Sequence, residues 1–171
     1  MENKAVIIDA TRSPIGIKNG EMVGIRPDDL AAQVVKGLME RNNKVTSDQV
    51  EDLVMGCAFP EGPQGMLIGR SVVALAGLPQ TVPAKVVNRF CGSAMDALHQ
   101  VSTAIESGDI EVGIAAGIED MFSIPPGGFA PDFHPELAEQ EYYIGMGETA
   151  ENLANDGNIL REAQEEFAMN S

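Results

Sequence analysis

Short apolar runs alternate with helix-like patterns along much of this chain, and their order constrains the fold more than any other feature. Four runs have the length and composition of buried strands, and they lie at residues 5–10, 53–58, 82–88 and from 112. Three stretches carry apolar residues at helical spacing, and they lie at residues 27–40, 66–77 and 92–107. The order βα…βαβαβ predicts an α/β protein whose sheet is layered between helices.

Terminal signals support these three helices. Pro27 has the fixed φ that suits a first helical turn, and Asp28 and Asp29 follow it where the helix dipole favours negative charge. Gly77 and Gly108 stand where the second and third helices should end, because glycine readily adopts the left-handed conformation found there. We therefore expect well-defined helix ends.

The composition of the chain changes after its first 120 residues. Proline and glycine crowd residues 122–143, so we expect a domain boundary or an excursion of the chain near Asp120. An amphipathic pattern begins after the turn at residues 155–158 and reaches Ser171 without a glycine, a proline or a basic last turn to end it. We therefore expect this sequence to be truncated.

Charge and composition exclude several classes of function. The 171 residues carry a formal net charge of −15, whereas nucleic acids and anionic membranes attract basic surfaces. No Lys or Arg occurs between Arg89 and Arg161, so an anionic ligand bound there must take its positive partners from elsewhere. No apolar segment approaches the roughly 20 residues that span a bilayer, and the N-terminus lacks the form of a secretory signal. We therefore expect a cytoplasmic protein without nucleic-acid or membrane partners.

Cysteine and histidine usage argues against a metal site. Cys57, Cys91, His99 and His134 are too widely spread for a zinc or iron–sulfur pattern, or for a disulfide framework. We expect no metal and no covalently bound cofactor, and two free thiols suit a reducing compartment. Cys57 lies in the apolar run LVMGCAF, where a free cysteine most often serves as a small buried hydrophobe.

Cys91 occupies the position that most favours chemistry, at the junction in VVNRFCGSAMDALHQ where a strand runs into a helix. Unpaired N–H groups and the positive end of the dipole at a helix start stabilise an anion such as a thiolate. Gly92 and Ser93 leave room for a substrate carbonyl and for an oxyanion hole. Free cysteines are also common as buried structural residues, so the pattern alone leaves both roles open.

A thiol nucleophile needs a general base, and neither histidine is well placed to supply one. His99 follows Cys91 by eight residues in the same predicted helix, about 12 Å along its axis. His134 lies in the Pro-rich stretch, where a lone histidine is most often solvated. Glu119 and Asp120 could pair for acid–base chemistry, but adjacent carboxylates after a strand more often cap a turn.

Several segments, taken together, resemble the N-terminal part of the thiolases, which are acyl-CoA acyltransferases. In chain order they are AVIIDATRSPIG, DLVMGCAFPEGPQG, VVNRFCGSAMDALHQ, AAGIEDM, MGETAENLA and REAQEEFAMNS. They span essentially the whole chain at the family's spacing, and the set is far more specific than any one motif.

The resemblance implies a βαβαβαββ half with a mixed sheet and a buried helix at residues 1–120, followed by the beginning of the loop domain at residues 121–171. It aligns Cys91 with the family's acyl-accepting cysteine, whose thiolate attacks a thioester carbonyl. The acyl group then passes to coenzyme A in thiolysis of a 3-ketoacyl-CoA, or to an acetyl-CoA carbanion in condensation. Coenzyme A is therefore a substrate in this chemistry, which belongs to fatty acid metabolism. The resemblance also places Met146 near the acyl pocket, although methionine packs in many other settings.

The sequence also departs from the family pattern. Thiolases carry a Gly-His-Pro histidine, an Asn-Glu-Ala-His segment and a second cysteine in a Cys-x-Gly motif, and this sequence has none of them. We therefore expect the polypeptide to be incomplete as an enzyme, and to form a homo-oligomer that covers the apolar faces of half a two-half fold. A non-catalytic truncated protein that only folds and associates is one alternative. A β-ketoacyl synthase is another, although MGETAENLA and REAQEEFA favour thiolase.

Overall fold

The computed structural model describes residues 4–171, which form two compact units. The first unit ends at Ala130 and the second is Pro131–Ser171. Residues just beyond the expected boundary at residue 120 stay with the first unit. Ile124 is buried, and the Phe129 N–H donates a 2.7 Å hydrogen bond to the Glu61 carboxylate.

A three-stranded parallel sheet is the centre of the first unit. Its strands are β1 (Asp52–Gly56), β2 (Ala84–Val87) and β3 (Gly113–Gly117), in the order β2-β1-β3. Leu53 of β1 pairs with Ala84 on one side and with Ile114 on the other. The predicted α/β class is confirmed. All three strands of the described chain run parallel, so an antiparallel partner that would make the sheet mixed is not among residues 4–171.

Six helices lie in the described chain, three in each unit. The first unit contains α1 (Pro27–Arg41), α2 (Ile68–Leu75) and α3 (Ser93–Ser107). The second contains α4 (Pro135–Glu139), α5 (Met146–Asp156) and α6 (Arg161–Asn170). Short 3₁₀ turns at Ser47–Gln49 and Gly62–Gln64 complete the regular structure.

The core is divided by the sheet into two layers. Alternate residues of a strand point to opposite faces, so Leu53 and Met55 pack in one cluster while Val54 packs in another. The larger cluster contains α1 and α2 residues such as Val35 and Val72. The smaller one joins Val54 to α3 through residues that include Ala97. The sheet therefore lies between α1 and α2 on one face and α3 on the other.

Helix α2 begins two residues later than the sequence predicts. Met66 and Leu67 have φ values of 49° and 60°, in the left-handed region, and cannot continue into a right-handed helix. The end of α2 is as expected, because Gly77 follows it with a φ of 77°. Gly108 ends α3 in the same way, with a φ of 83°.

The prediction of a first strand at residues 5–10 is wrong. Residues 5–10 are not in a strand, and the side chains of Val6, Ile7 and Ile8 are exposed rather than buried. Asp9 fixes this segment to the end of α1 instead, accepting hydrogen bonds from Arg41 at 2.9 Å and Asn42 at 2.7 Å. A cavity of about 290 Å³ is lined by both residues 5–9 and residues 113–115 of β3. A strand needs a neighbour at hydrogen-bonding distance, and no strand within residues 4–171 pairs with this segment.

The expected buried helix is also only partly observed. Helix α3 buries Ser93, Ala97 and Val101 against the sheet. Met95 and Leu98, on other sides of the helix, are 76% and 40% exposed. The reason is that α3 packs against β1, β2 and β3, on one of its faces.

The second unit is small and has no buried residues in its helices. Phe133 and Tyr143 stack with ring centroids 4.6 Å apart. Met146, which the resemblance places near the acyl pocket, is the first residue of α5 and is exposed. Across residues 4–171, every helix is too short or too polar to cross a membrane.

Candidate active site

The candidate site lies where the three parallel strands end. Parallel strands bring their carboxyl ends to the same edge of a sheet, where α/β proteins commonly bind ligands. The segments that follow the strands carry Cys57 after β1, Cys91 after β2, and Glu119 with Asp120 after β3. The topology therefore gathers both cysteines and both candidate carboxylates at this edge.

Two glycines let α3 begin close to the strand ends. A Cβ added to Gly56 would lie 2.5 Å from the Ala94 backbone nitrogen, and one added to Gly117 would lie 2.6 Å from the Ala94 Cβ. Real Cβ atoms do not approach other atoms so closely, so both positions require glycine for this packing. The first turn of α3 is thereby held over the ends of β1 and β3.

Cys91 is exposed and lies two residues before α3, in a tight turn. The preceding residue, Phe90, has a φ of 43°, which is unusual for a bulky side chain. The turn is closed by backbone hydrogen bonds from Gly92 to Arg89 at 2.9 Å and from Ser93 to Phe90 at 3.0 Å. The structure thus confirms the predicted position of Cys91, in a turn between a strand and a helix.

Asn88 and Ser93 hold this turn from its two ends. The Phe90 N–H donates to Asn88 Oδ1 at 2.9 Å. Ser93 Oγ accepts from the Arg89 N–H at 2.8 Å and donates to the Phe90 carbonyl at 2.6 Å. Ser93 is buried, so these hydrogen bonds replace water that cannot reach its hydroxyl.

Glu119 and Gln64 anchor the loop that follows β1. Glu119 Oε2 accepts from the Ala58 N–H at 2.7 Å, and Oε1 accepts from the Phe59 N–H at 3.3 Å. Gln64, fully buried, donates to both Glu119 and the Phe59 carbonyl at 2.9 Å. Gln64 Oε1 in turn accepts from the Asp120 N–H.

Asp120 caps its own turn, as the sequence indicated for adjacent carboxylates. Its Oδ1 accepts from the backbone N–H groups of Phe122 at 3.0 Å and Ser123 at 3.1 Å. Burial acts to raise the pKa of Asp120, but the hydrogen bonds from Ser123 and Phe122 outweigh it, and the pKa lies below its usual value.

Cys57 behaves as the buried hydrophobe that the sequence predicts. Its side chain is 1% exposed, and burial together with the nearby Glu119 carboxylate raises the pKa of its thiol to about 12. The thiol therefore stays protonated at neutral pH and is a poor nucleophile. The two cysteines have opposite surroundings, since Cys91 is open to solvent.

Among residues 4–171, no hydrogen bond joins either histidine to Cys91. His99 is exposed on α3, two turns into the helix and about 9 Å along its axis from Ser93. His134 belongs to the second unit, where it is exposed just before α4. Among residues 4–171, no three His, Cys, Asp or Glu side chains form a group that could bind a metal ion.

Sequence reasoning missed the residues that shape the site without taking part in chemistry. Asn88 and Gln64 lie within loops and turns, and nothing local to them indicates which backbone groups they will meet. An asparagine two residues before a tight turn is one available signal, because its side chain commonly bonds to a nearby backbone N–H. No comparable signal exists for Gln64, whose partner Glu119 lies 55 residues away.

Comparisons with known proteins agree with this architecture. A family described as the thiolase N-terminal domain matches residues 5–171. The 3-ketoacyl-CoA thiolase of Bacillus subtilis (strain 168) is 40% identical over 171 residues, covering 98% of this chain and 44% of the relative. That of Aliivibrio salmonicida (strain LFI1238) is 43% identical over 169 residues, covering 97% of this chain and 43% of the relative.

This chain thus spans less than half the length of the relatives it matches. The matched family is the thiolase family that the motifs predict, rather than the β-ketoacyl synthases considered as an alternative. A match over nearly the whole sequence, together with the parallel sheet and the strand-to-helix cysteine turn, identifies the chain as a member of the thiolase family, whose N-terminal domain residues 5–171 match.

Proposed function

We propose that the protein takes part in thiolase-type acyl transfer on acyl-CoA thioesters, with Cys91 as the nucleophile. The observation that carries the proposal is the position of Cys91, which is exposed in a fixed turn before α3 at the carboxyl edge of the sheet. The helix that follows this turn has the positive end of its dipole at Ser93, two residues after Cys91. The names of the relatives support a 3-ketoacyl-CoA as the substrate.

The covalent step transfers an acyl group to Cys91. With a 3-ketoacyl-CoA, the Cys91 thiolate bonds to the 3-keto carbon, the bond between carbons 2 and 3 breaks, and acetyl-CoA leaves as a carbanion that takes up a proton. The thiol of a second coenzyme A then gives its proton to a base and bonds to the acyl carbon, while the bond from that carbon to the Cys91 sulfur breaks and frees the thiolate. In the reverse direction, an acetyl-CoA carbanion attacks the acyl group on Cys91 and forms a 3-ketoacyl-CoA.

The general base and the coenzyme A site are proposed to come from residues outside this sequence. His99 is on the exposed surface of α3 rather than beside Cys91, and no Lys or Arg occurs between Arg89 and Arg161. A proton acceptor and a partner for the coenzyme A phosphates are both needed for turnover. We therefore propose that these 171 residues contribute the nucleophile, and that turnover needs more of the protein.

Intact-protein mass after incubation with acetyl-CoA or acetoacetyl-CoA tests the nucleophile. Wild type should gain one acetyl group from either compound, by thioester exchange with acetyl-CoA or by carbon–carbon cleavage of acetoacetyl-CoA. Cys91→Ala should gain none, and Cys57→Ala should gain the same group as wild type. An adduct that persists in Cys91→Ala contradicts the assignment. The absence of any adduct, together with slow reaction of Cys91 with iodoacetamide at neutral pH, favours the alternative of a protein that folds and associates without catalysis.

We also propose that the protein forms a homo-oligomer. Large apolar side chains are exposed on α3, including Met95, and along the N-terminal segment, including Ile7. Contiguous apolar patches of several hundred Å² rarely stay uncovered in soluble monomers. Sedimentation velocity at micromolar concentration should show a dimer or larger species, and a stable monomer contradicts this part of the proposal.

Two further expectations from the sequence are kept as proposals. A cytoplasmic location is supported by two free cysteines, since such thiols persist in reducing compartments. A second domain that begins near residue 121 is supported by the Pro-rich composition that follows it. Limited proteolysis with identification of the cut sites tests the second of these proposals.

A further inference from the structure

The turn that presents Cys91 depends on a residue held in an uncommon conformation. Phe90 has a φ of 43°, and a bulky side chain keeps such a conformation only where neighbouring contacts fix it. Ser93 fixes the Phe90 carbonyl with a hydrogen bond of 2.6 Å, and Asn88 fixes the Phe90 N–H with one of 2.9 Å. Each of these side-chain contacts therefore restrains Phe90 and, through it, the neighbouring Cys91.

Asn88 is also joined to the loop after β1. Its Nδ2 donates to the Ala58 carbonyl at 2.7 Å, so one side chain connects the Cys91 turn to the neighbouring strand end. The rings of Phe59 and Phe90 lie 5.9 Å apart, which adds an apolar contact between the same two segments. The placement of Asn88 therefore follows the placement of Ala58 and Phe59.

Glu119 in turn fixes Ala58 and Phe59. Its carboxylate accepts from both of their N–H groups, at 2.7 and 3.3 Å, and is itself held by Gln64 at 2.9 Å. Hydrogen bonds from neutral donors to a carboxylate are stronger than those between neutral groups. A continuous path of contacts thus leads from Glu119 through Ala58 and Asn88 to Phe90.

We propose that Glu119 is a positioning residue for Cys91. It holds the loop after β1, that loop orients Asn88, and Asn88 keeps Phe90 in the conformation that sets Cys91 at the start of α3. The inference rests on the proposed role of Cys91 as the nucleophile. Glu119 itself exchanges no proton with the substrate in this scheme.

The direction in which the Cys91 alkylation rate changes when Glu119 is replaced distinguishes a positioning role from a purely electrostatic one. Glu119 is negatively charged and already raises the pKa of the nearby Cys57 thiol. If charge were its only influence on Cys91, replacing it by a neutral residue would remove a repelling negative charge and speed alkylation. Positioning predicts the opposite, because a released turn no longer holds Cys91 beside the N-terminus of α3.

The experiment measures the rate of Cys91 alkylation by iodoacetamide at pH 7, read from the mass of the peptide that contains Cys91. Glu119→Ala should slow the reaction roughly fivefold, the change expected for loss of one ordinary hydrogen bond. Glu119→Gln, which keeps the size and one acceptor, should slow it less. Asp120→Asn is the matched control, since it removes the adjacent charge without touching the Ala58 loop, and its rate should not fall.

A double-mutant cycle tests the path itself. Asn88→Ala should slow alkylation as Glu119→Ala does, and the double variant should be no slower than either, because both act on the same turn. Amide hydrogen exchange at Phe90 should become faster in each single variant. Additive rate losses, an unchanged rate, or a faster reaction in Glu119→Ala would overturn the inference.

These readouts stay informative if the proposed function fails. Alkylation and amide exchange need no acyl-CoA, so they test the coupling of Glu119 to Cys91 even where no acyl adduct forms. Conversely, an acyl adduct that forms equally fast in wild type and in Glu119→Ala keeps the proposed function and rejects the positioning role. Should Glu119→Ala fail to fold, Glu119→Gln and Asn88→Ala carry the same test.

Discussion

Gly56 lies directly beneath Ala94, so close that a Cβ at Gly56 would stand 2.5 Å from the Ala94 backbone nitrogen. This contact sets the distance between α3 and the end of β1. It therefore also sets the position of the turn that carries Cys91, just before α3. It also makes the effect of a single methyl group at Gly56 a direct test of that packing.

Gly56→Ala should push the start of α3 away from the sheet. The free energy of unfolding should fall by about 1–3 kcal/mol, the usual cost of overpacking, and Cys91 alkylation should slow. Gly37→Ala is the matched control, since Gly37 lies within α1 and its added Cβ would meet nothing within 4 Å. That variant should be about 0.5–1 kcal/mol more stable than wild type, because glycine is unfavourable inside a helix. Urea unfolding gives both values, and equal effects would contradict the close packing at Gly56.

Ser93→Ala should destabilise the Cys91 turn. It removes the acceptor of the Arg89 N–H and one donor to the Phe90 carbonyl, in a buried position. We expect a loss of about 1–3 kcal/mol in the free energy of unfolding, because the Arg89 N–H and the Phe90 carbonyl each lose a hydrogen bond to the Ser93 hydroxyl. Ser107→Ala, at the exposed end of α3, should change it by less than about 0.5 kcal/mol. Comparable losses at the two serines would show that the turn does not depend on Ser93.

Cys57 should make the protein sensitive to alkaline pH. Its thiol pKa is about 12 in the folded protein against an ordinary value of 9.0, so above pH 9 the unfolded chain loses this proton while the folded chain keeps it. The stability that Cys57 contributes is therefore complete below about pH 9 and is lost as the pH rises toward 12. Unfolding of wild type and Cys57→Ala, measured from pH 7 to pH 11, should show the wild-type advantage shrinking above pH 9. A constant difference across this range would mean that the thiol is not shielded.

Asp28 should contribute to stability at neutral pH but not in acid. Two hydrogen bonds from Arg26, of 2.7 and 3.0 Å, hold the pKa of Asp28 below its usual 3.8. A lowered carboxylate pKa means that the stabilisation is present above pH 3.8 and disappears as the pH falls through the folded value. Asp28→Asn should cost under about 1 kcal/mol at pH 7, because Arg26 is largely exposed. Chemical unfolding at pH 7 and pH 2.5 tests this, and an equal cost at both would rule out the ion pair as its source.

Local patterns were sufficient for the elements of the core. The runs at β1, β2 and β3 are apolar because each strand is covered on both faces, and α1 and α3 show helical spacing because each buries one side. Glycine at position 108 ended α3 as predicted, since its φ of 83° suits glycine alone among common residues. Each of these signals lies within the segment that it describes.

Features that depend on residues far apart in the chain could not be predicted from local sequence patterns. Residues 5–10 read as a strand from their composition, yet a strand requires a neighbour, and the neighbour is a property of the whole sheet. The role of Glu119 likewise depends on Ala58, 61 residues earlier in the chain. Left-handed φ values at Met66, Leu67 and Phe90 were unexpected because nothing in these residue types favours them.

The long separation between Glu119 and Ala58 has a consequence for how the protein folds. Closing a loop of 61 residues carries a large entropic cost, and it is recovered only when β3 has joined the sheet beside β1. We therefore expect the turn at Cys91 to be completed late in folding, after helices α1 and α3 have formed from local contacts. On the proposed role of Glu119, we expect Cys91 to change its rate of alkylation only in the final kinetic phase of refolding. A timed pulse of iodoacetamide during refolding would thus report the completion of the sheet edge rather than the formation of the helices.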